Sequence, residues 1–135
     1  MSYQSQLAPA YKALESIHST STITPETVAQ IIGQAMQSAT TWFVLDTLAA
    51  VAREGERLQV GERPSMESYK RGFRLCCDFI DKWSNCAFSH SDWVDMEENI
   101  AVISRESNRQ FHIDLVVAGA NELERLGKGK GTVFK

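Results

Sequence analysis

The sequence predicts an all-α fold: a four- or five-helix bundle with one long second helix. Three observations carry the prediction. Apolar residues recur at spacings of three and four through most of the chain, the signature of a helix with one buried face. Hydroxyl residues suited to N-caps stand before several of these runs. Finally, Pro9, Pro25 and Pro64 all fall near the starts of periodic segments, where proline is tolerated.

The first helix is expected from about Ala8 to His18, ending in the Ser/Thr run Ser19 to Thr22, which reads as a loop. Thr24-Pro25-Glu26 then combines a capping hydroxyl, proline at the first helical position and an acid in the first turn, a clear start signal. From there Val28, Ile31, Ala35, Ser38, Trp42, Leu45, Ala49 and Ala52 keep the helical spacing, and Ile32, Met36, Ala39, Phe43 and Leu48 widen the stripe. Unbroken to Arg57, this helix would be about 50 Å long, whereas a compact domain of this size is under about 40 Å across. Either the β-branched and aromatic run Thr40 to Val44 breaks it, or the projecting length packs on another chain. Both options stay open, with the long second helix written into the expected fold.

Glu54 to Arg63, with Gly55 and Gly61, reads as a connection, and Ser65 caps the next helix. There Met66, Tyr69, Phe73, Cys76, Ile80 and Trp83 form one seam, with the charged residues opposite. Ser89 or Ser91 caps a further helix whose first turns carry Asp92, Asp95, Glu97 and Glu98, acids that suit the positive helix end. In the last segment Ile113, Val116, Ala120 and Leu123 define a helical face ending at Gly127. The alternative is α+β, with a hairpin near residues 100–117 suggested by the alternation in Phe111 to Leu115. Residues 1–127 are thus expected to form a single helical domain and 128–135 a flexible basic tail. No internal repeat is read in the chain.

With 135 residues, 43% hydrophobic and 23% charged, and a net charge of −3, the chain is neither disordered nor a broadly basic nucleic-acid binder. One feature of the charge is unusual. Of 31 charged residues, only Lys12, Glu15 and Glu26 lie in the first 45 positions. The N-terminal residues lack the basic and apolar regions of a secretory signal. The most apolar stretch, Thr41 to Ala52, is too short to span a membrane. Cys76, Cys77 and Cys86 are an odd number, which argues against a disulfide framework and for the reducing cytoplasm.

No catalytic motif stands out. Ser89-His90-Ser91-Asp92 juxtaposes a nucleophile, a base and an acid only in sequence, whereas triads converge in space. His112 with Asp114, and His18 at a helix end, are equally unspecific. Gly127-Lys128-Gly129-Lys130-Gly131-Thr132 departs from the phosphate-loop pattern. Cys77, Cys86 and His90 are weak metal candidates, with Cys76 and His112 nearby in composition, because the paired hooks of a zinc site are missing. No cofactor is implied.

The expected function is therefore that of a non-enzymatic helical protein–protein interaction module: a small cytosolic regulator, adaptor or inhibitor that self-associates as a homodimer. Met36, Trp42, Phe43 and Leu48 on the charge-poor second helix are its candidate interface, with Arg71 and Arg74, or Asp95 and Glu98, as polar selectors. The alternatives are a zinc-binding protein and a nucleic-acid-associated accessory protein. The latter would use Lys70, Arg71, Arg74, Lys128 and Lys130, or would inhibit a nucleic-acid enzyme through the acidic stretch from Asp78 to Glu106, which carries seven acids against two bases. No membrane partner is expected.

Overall fold

The computed structural model describes residues 2–107 and 109–129. Six α-helices account for all the regular structure among them: α1 (Tyr3–His18), α2 (Pro25–Gln37), α3 (Trp42–Leu58), α4 (Met66–Trp83), α5 (His90–Glu106) and α6 (Gln110–Gly127). The all-α prediction holds. The hairpin alternative does not, since both of its expected strands lie in helices, α5 and α6.

The local signals explain most boundaries. Thr24, Ser65 and Ser89 each accept a hydrogen bond from the backbone N–H three residues on. At Ser89 the bond is reciprocal, because Asp92 accepts from the Ser89 N–H. This capping box accounts for Ser89 and Asp92 without catalysis. α1 starts earlier than expected, capped by Ser2, and runs through Pro9. The Ser5 carbonyl that Pro9 leaves without a helical donor belongs to an exposed residue.

The continuous second helix is a correction. Ser38 ends α2, and Thr41, in extended conformation, caps α3 by accepting from the Val44 N–H. The Thr41 hydroxyl in turn donates to Gln6 Oε1 at 2.8 Å, fixing the corner to α1. The apolar stripe continues through the break, but the chain folds back on itself, so that Val28 of α2 packs against Gly55 of α3. A stripe too long for one domain is thereby buried twice within it.

Contacts between helices define a ring in the order α1, α3, α6, α4, with α2 outside against α1 and α3 and α5 outside against α6. Directions follow from which residues meet. Asp46 pairs with Arg125 and Arg57 with Asp114, so α3 and α6 are antiparallel. Tyr11 meets Phe73 and His18 meets Tyr69, so α1 and α4 are antiparallel too. Gly72 lies under His112, and Gly119 lies against Cys76 and Ile80, so α4 and α6 run the same way. It follows that α1 and α3 are also parallel, and that α2 and α5 are the return segments which parallel neighbours require.

This arrangement is a repeat, contrary to the reading of the sequence. Placing α3 (Trp42–Leu58) on Gln110–Leu126 gives eight identities in 17 positions: Phe43/Phe111, Asp46/Asp114, Ala50/Ala118, Ala52/Ala120, Glu54/Glu122, Glu56/Glu124, Arg57/Arg125 and Leu58/Leu126. All pairs but the last match in depth of burial; Leu58 is buried and Leu126 exposed. In α1 and α4 the buried residues Gln6, Leu7, Ala10, Ala13 and Leu14 correspond to the buried Gly72, Phe73, Cys76, Phe79 and Ile80. The chain therefore contains two copies of a three-helix unit. A pseudo-two-fold axis perpendicular to the ring helices exchanges α1 with α4 and α3 with α6.

Candidate functional site

The repeat places two matching polar networks in the core. In one, Tyr69 Oη donates to Glu54 Oε2 at 2.6 Å, Arg57 Nε donates to Glu54 Oε1 at 2.8 Å, and Arg57 Nη2 donates to Asp114 Oδ2 at 3.1 Å. In the other, Tyr3 Oη donates to Glu122 Oε2 at 2.9 Å, Arg125 Nε to Glu122 Oε1 at 3.0 Å and Arg125 Nη2 to Asp46 Oδ2 at 3.0 Å. The bonding is the same atom for atom. Each tyrosine reaches diagonally across the ring, and each arginine joins α3 to α6. Burial pushes both phenols well above their usual range, and the neighbouring glutamate adds to the shift, so both remain donors. Burial opposes the charge on Arg57, but the bonds from Glu54 and Asp114 outweigh it and hold the guanidinium above its ordinary value. Among the described residues no buried side-chain polar atom lacks a partner. These networks therefore have the character of fasteners between the two halves.

The two seams on the pseudo-two-fold axis differ. The α3–α6 seam is closed by the arginines. The α1–α4 seam opens into a groove of about 660 Å³. Leu7 and Phe73, both buried, form its floor. Half-buried Tyr3 and Tyr11 stand above them, with Tyr11 edge-on to Phe73 at 5.7 Å between ring centroids. Because α1 and α4 are antiparallel, exposed Lys70 and Arg74 lie toward the Tyr11 end, and exposed Asp78 and Asp81 toward the Ser2 end. Arg74, Asp78 and Asp81 enter no ion pair among the described residues; Lys70 has only an exposed contact to Glu67 at 3.5 Å. The groove thus combines an apolar aromatic floor with a rim positive at one end and negative at the other.

The residues singled out from sequence are distributed differently from expectation. Phe43 and Leu48 are fully buried, 0% and 1% exposed, and belong to the core, not to an interface. They face inward because α3 is a ring helix. Met36 and Trp42, each 46% exposed, flank the α2–α3 corner. Arg71 is exposed on α4 outside the groove, Arg74 lines it, and Asp95 and Glu98 are exposed on α5.

Cys77 lies in the groove, Cys86 in the α4–α5 connection and His90 at the start of α5, while Cys76 is buried against Gly119. No group of three or more His, Cys, Asp or Glu able to hold a metal ion forms among the described residues. Burial, with Asp81 and Asp78 adding to it, raises the Cys77 thiol above its usual range, so it is held as the thiol. His18 Nε2 donates to the Pro64 carbonyl at 2.8 Å. His112 bonds Ser107 and the Ser68 carbonyl, not Asp114. Lys70 and Arg74 share their surface with two aspartates, so the groove is not a continuous basic track. Lys128 is described, paired with Glu124, whereas Lys130 and residues 131–135 lie outside the described residues.

Tyr3, Tyr11 and Leu7 were not singled out because α1 shows no chemistry of its own; their role arises from α4 alongside. Comparison with family models, curated proteins and solved structures finds no match for the chain. No helix among the described residues is long and apolar enough to cross a membrane.

Proposed function

We propose that the chain is a helical protein–protein interaction module, a small regulator, adaptor or inhibitor that works by docking a partner and not by chemistry. The observation that supports this reading is the α1–α4 groove, where aromatic groups lie beside charges of which Arg74, Asp78 and Asp81 enter no ion pair among the described residues. Interfaces of this kind place buried aromatic anchors inside a polar rim. Three cysteines with no disulfide among them suit the cytoplasm.

The test fills the groove. Ala8 is exposed and lines it, so Ala8→Trp is expected to leave the fold intact and to abolish co-purification of a partner from the native host. Retention of that partner by a folded Ala8→Trp protein would overturn the reading.

Self-association is a second reading, favoured by the exposure of Met36 and Trp42 at one corner of the charge-poor region. It requires concentration-dependent sedimentation that Trp42→Glu suppresses; a monomer at all concentrations removes it.

A further inference from the structure

The charge order along the groove points beyond docking in general to a class of partner. Lys70 and Arg74 stand in the N-terminal half of α4, and Asp78 and Asp81 in its C-terminal half. At the helix ends themselves Glu67 in the first turn and Lys82 in the last follow the order the dipole favours, so the reversed order of bases before acids is confined to the groove-facing positions between them. These groups do not satisfy one another: Arg74 and Asp78, four apart, make no ion pair.

Length narrows the choice of ligand. Lys70 and Asp81 are 11 residues apart, about 16 Å along the axis at 1.5 Å per residue, or three helical turns. A three-turn helix matches that span. Such a helix presents apolar side chains at i, i+3 or i+4, and i+7, which is the pattern an apolar floor between two helices accepts. A helix with its charges in the ordinary order, acids in the first turn and bases in the last, complements the rim when it lies parallel to α4. Its acids then meet Lys70 and Arg74, and its bases meet Asp78 and Asp81.

We infer that the α1–α4 groove binds an amphipathic helix of a partner protein, about three turns long, acidic at its N-terminal end and basic at its C-terminal end, running parallel to α4. This rests on the docking reading above and specifies its partner.

The test uses the full chain and two fluorescein-labelled 14-residue peptides of identical composition. One carries Glu in the first turn, a Leu stripe and Lys in the last turn; the other has the Glu and Lys exchanged. Anisotropy titrations at low ionic strength are expected to favour the first peptide by about fivefold, the size that two exposed ion pairs allow. Arg74→Glu/Asp78→Lys, at two exposed positions, leaves one charge of each sign at either end and is expected to remove the preference, and Ala8→Trp to abolish binding of both peptides. Equal binding of the two peptides to the wild-type chain, binding of neither, or a preference that survives the charge exchange would overturn the inference. So would a wild-type homodimer that the first peptide dissociates, since a second copy would then be the occupant. If neither peptide binds while Ala8→Trp still abolishes capture of the host partner, the helix fails as the ligand and the docking reading stands.

Discussion

His112 shows how one buried side chain couples this fold to pH. It is 3% exposed. Its Nε2–H donates to the Ser68 carbonyl at 2.7 Å, and Nδ1 lies 2.9 Å from Ser107 Oγ. Burial favours the neutral ring, in which Ser107 is the donor to Nδ1. Burial is the chief cause of its lowered pKa; the Ser68 carbonyl acts the other way, Arg71 and Arg109 lower it further, and Glu54 raises it. In the unfolded chain the ring takes up its proton near pH 6.5. As pH falls through that value the unfolded state binds a proton that the folded state still refuses, so stability declines until the folded pKa is passed. The equivalent residue in the first half is Val44. Accordingly His112→Val is expected to flatten the slope of melting temperature between about pH 7 and pH 5, whatever it does to the absolute value. An unchanged slope would show that other groups carry the effect.

At the scale of the helix, two helical glycines should respond oppositely to the same substitution. Gly33 is exposed within α2, and a Cβ there meets nothing within 4 Å. Gly33→Ala should stabilise by about 0.5–1 kcal/mol, because alanine loses less backbone freedom on folding. A Cβ at Gly72 would lie 2.6 Å from His112 Cδ2, on a ring held by two hydrogen bonds. Gly72→Ala should destabilise by about 1–3 kcal/mol, the usual cost of overpacking. Urea midpoints moving in the same direction for both variants would contradict the packing of α4 on α6.

The helices themselves were largely legible in the sequence. Thr24, Ser65 and Ser89 act as the caps their context suggests. What was not legible depended on neighbours. Trp42, Phe43 and Val44 continue the apolar phase of α2 so closely that only the adjacent Thr40 and Thr41 mark the break, and Thr41 turns the chain partly because Gln6 of another helix accepts its hydroxyl. The groove was less legible still. Its lining comes from two helices that meet only in the folded ring, and local periodicity does not report on such encounters.

On the scale of the whole molecule, the two halves share one core. Both networks cross between them, Glu54, Arg57, Tyr69 and Asp114 in one and Glu122, Arg125, Tyr3 and Asp46 in the other. The linker is tied as well: Arg63 donates to the carbonyls of His18 at 2.9 Å and Ser21 at 3.1 Å. The halves should therefore unfold together. Variants retaining only Trp42, in the first half, or only Trp83, in the second, are expected to give coincident fluorescence transitions in urea, as two-state behaviour requires. Separate midpoints would mean that each three-helix unit is stable on its own. The repeat is masked in the sequence because its spacing shifts from 66 residues between Leu7 and Phe73 to 68 between Phe43 and Phe111. Its clearest members, such as Glu54 and Glu122, are also polar groups that look like surface until their partners are seen.

The axis through the α1–α4 seam has one more consequence. In a true homodimer of the three-helix unit, two identical helices would face each other antiparallel across that seam, each bringing the positive stretch of one beside the negative stretch of the other. The poles would cancel, and a bound segment would be received equally well in either direction. In this chain the positions of α1 equivalent to Lys70 and Arg74 are Gln4 and Ala8, so the cancellation does not occur. Because the two sides of the seam differ in sequence, the groove has a polarity that exact symmetry would have denied it.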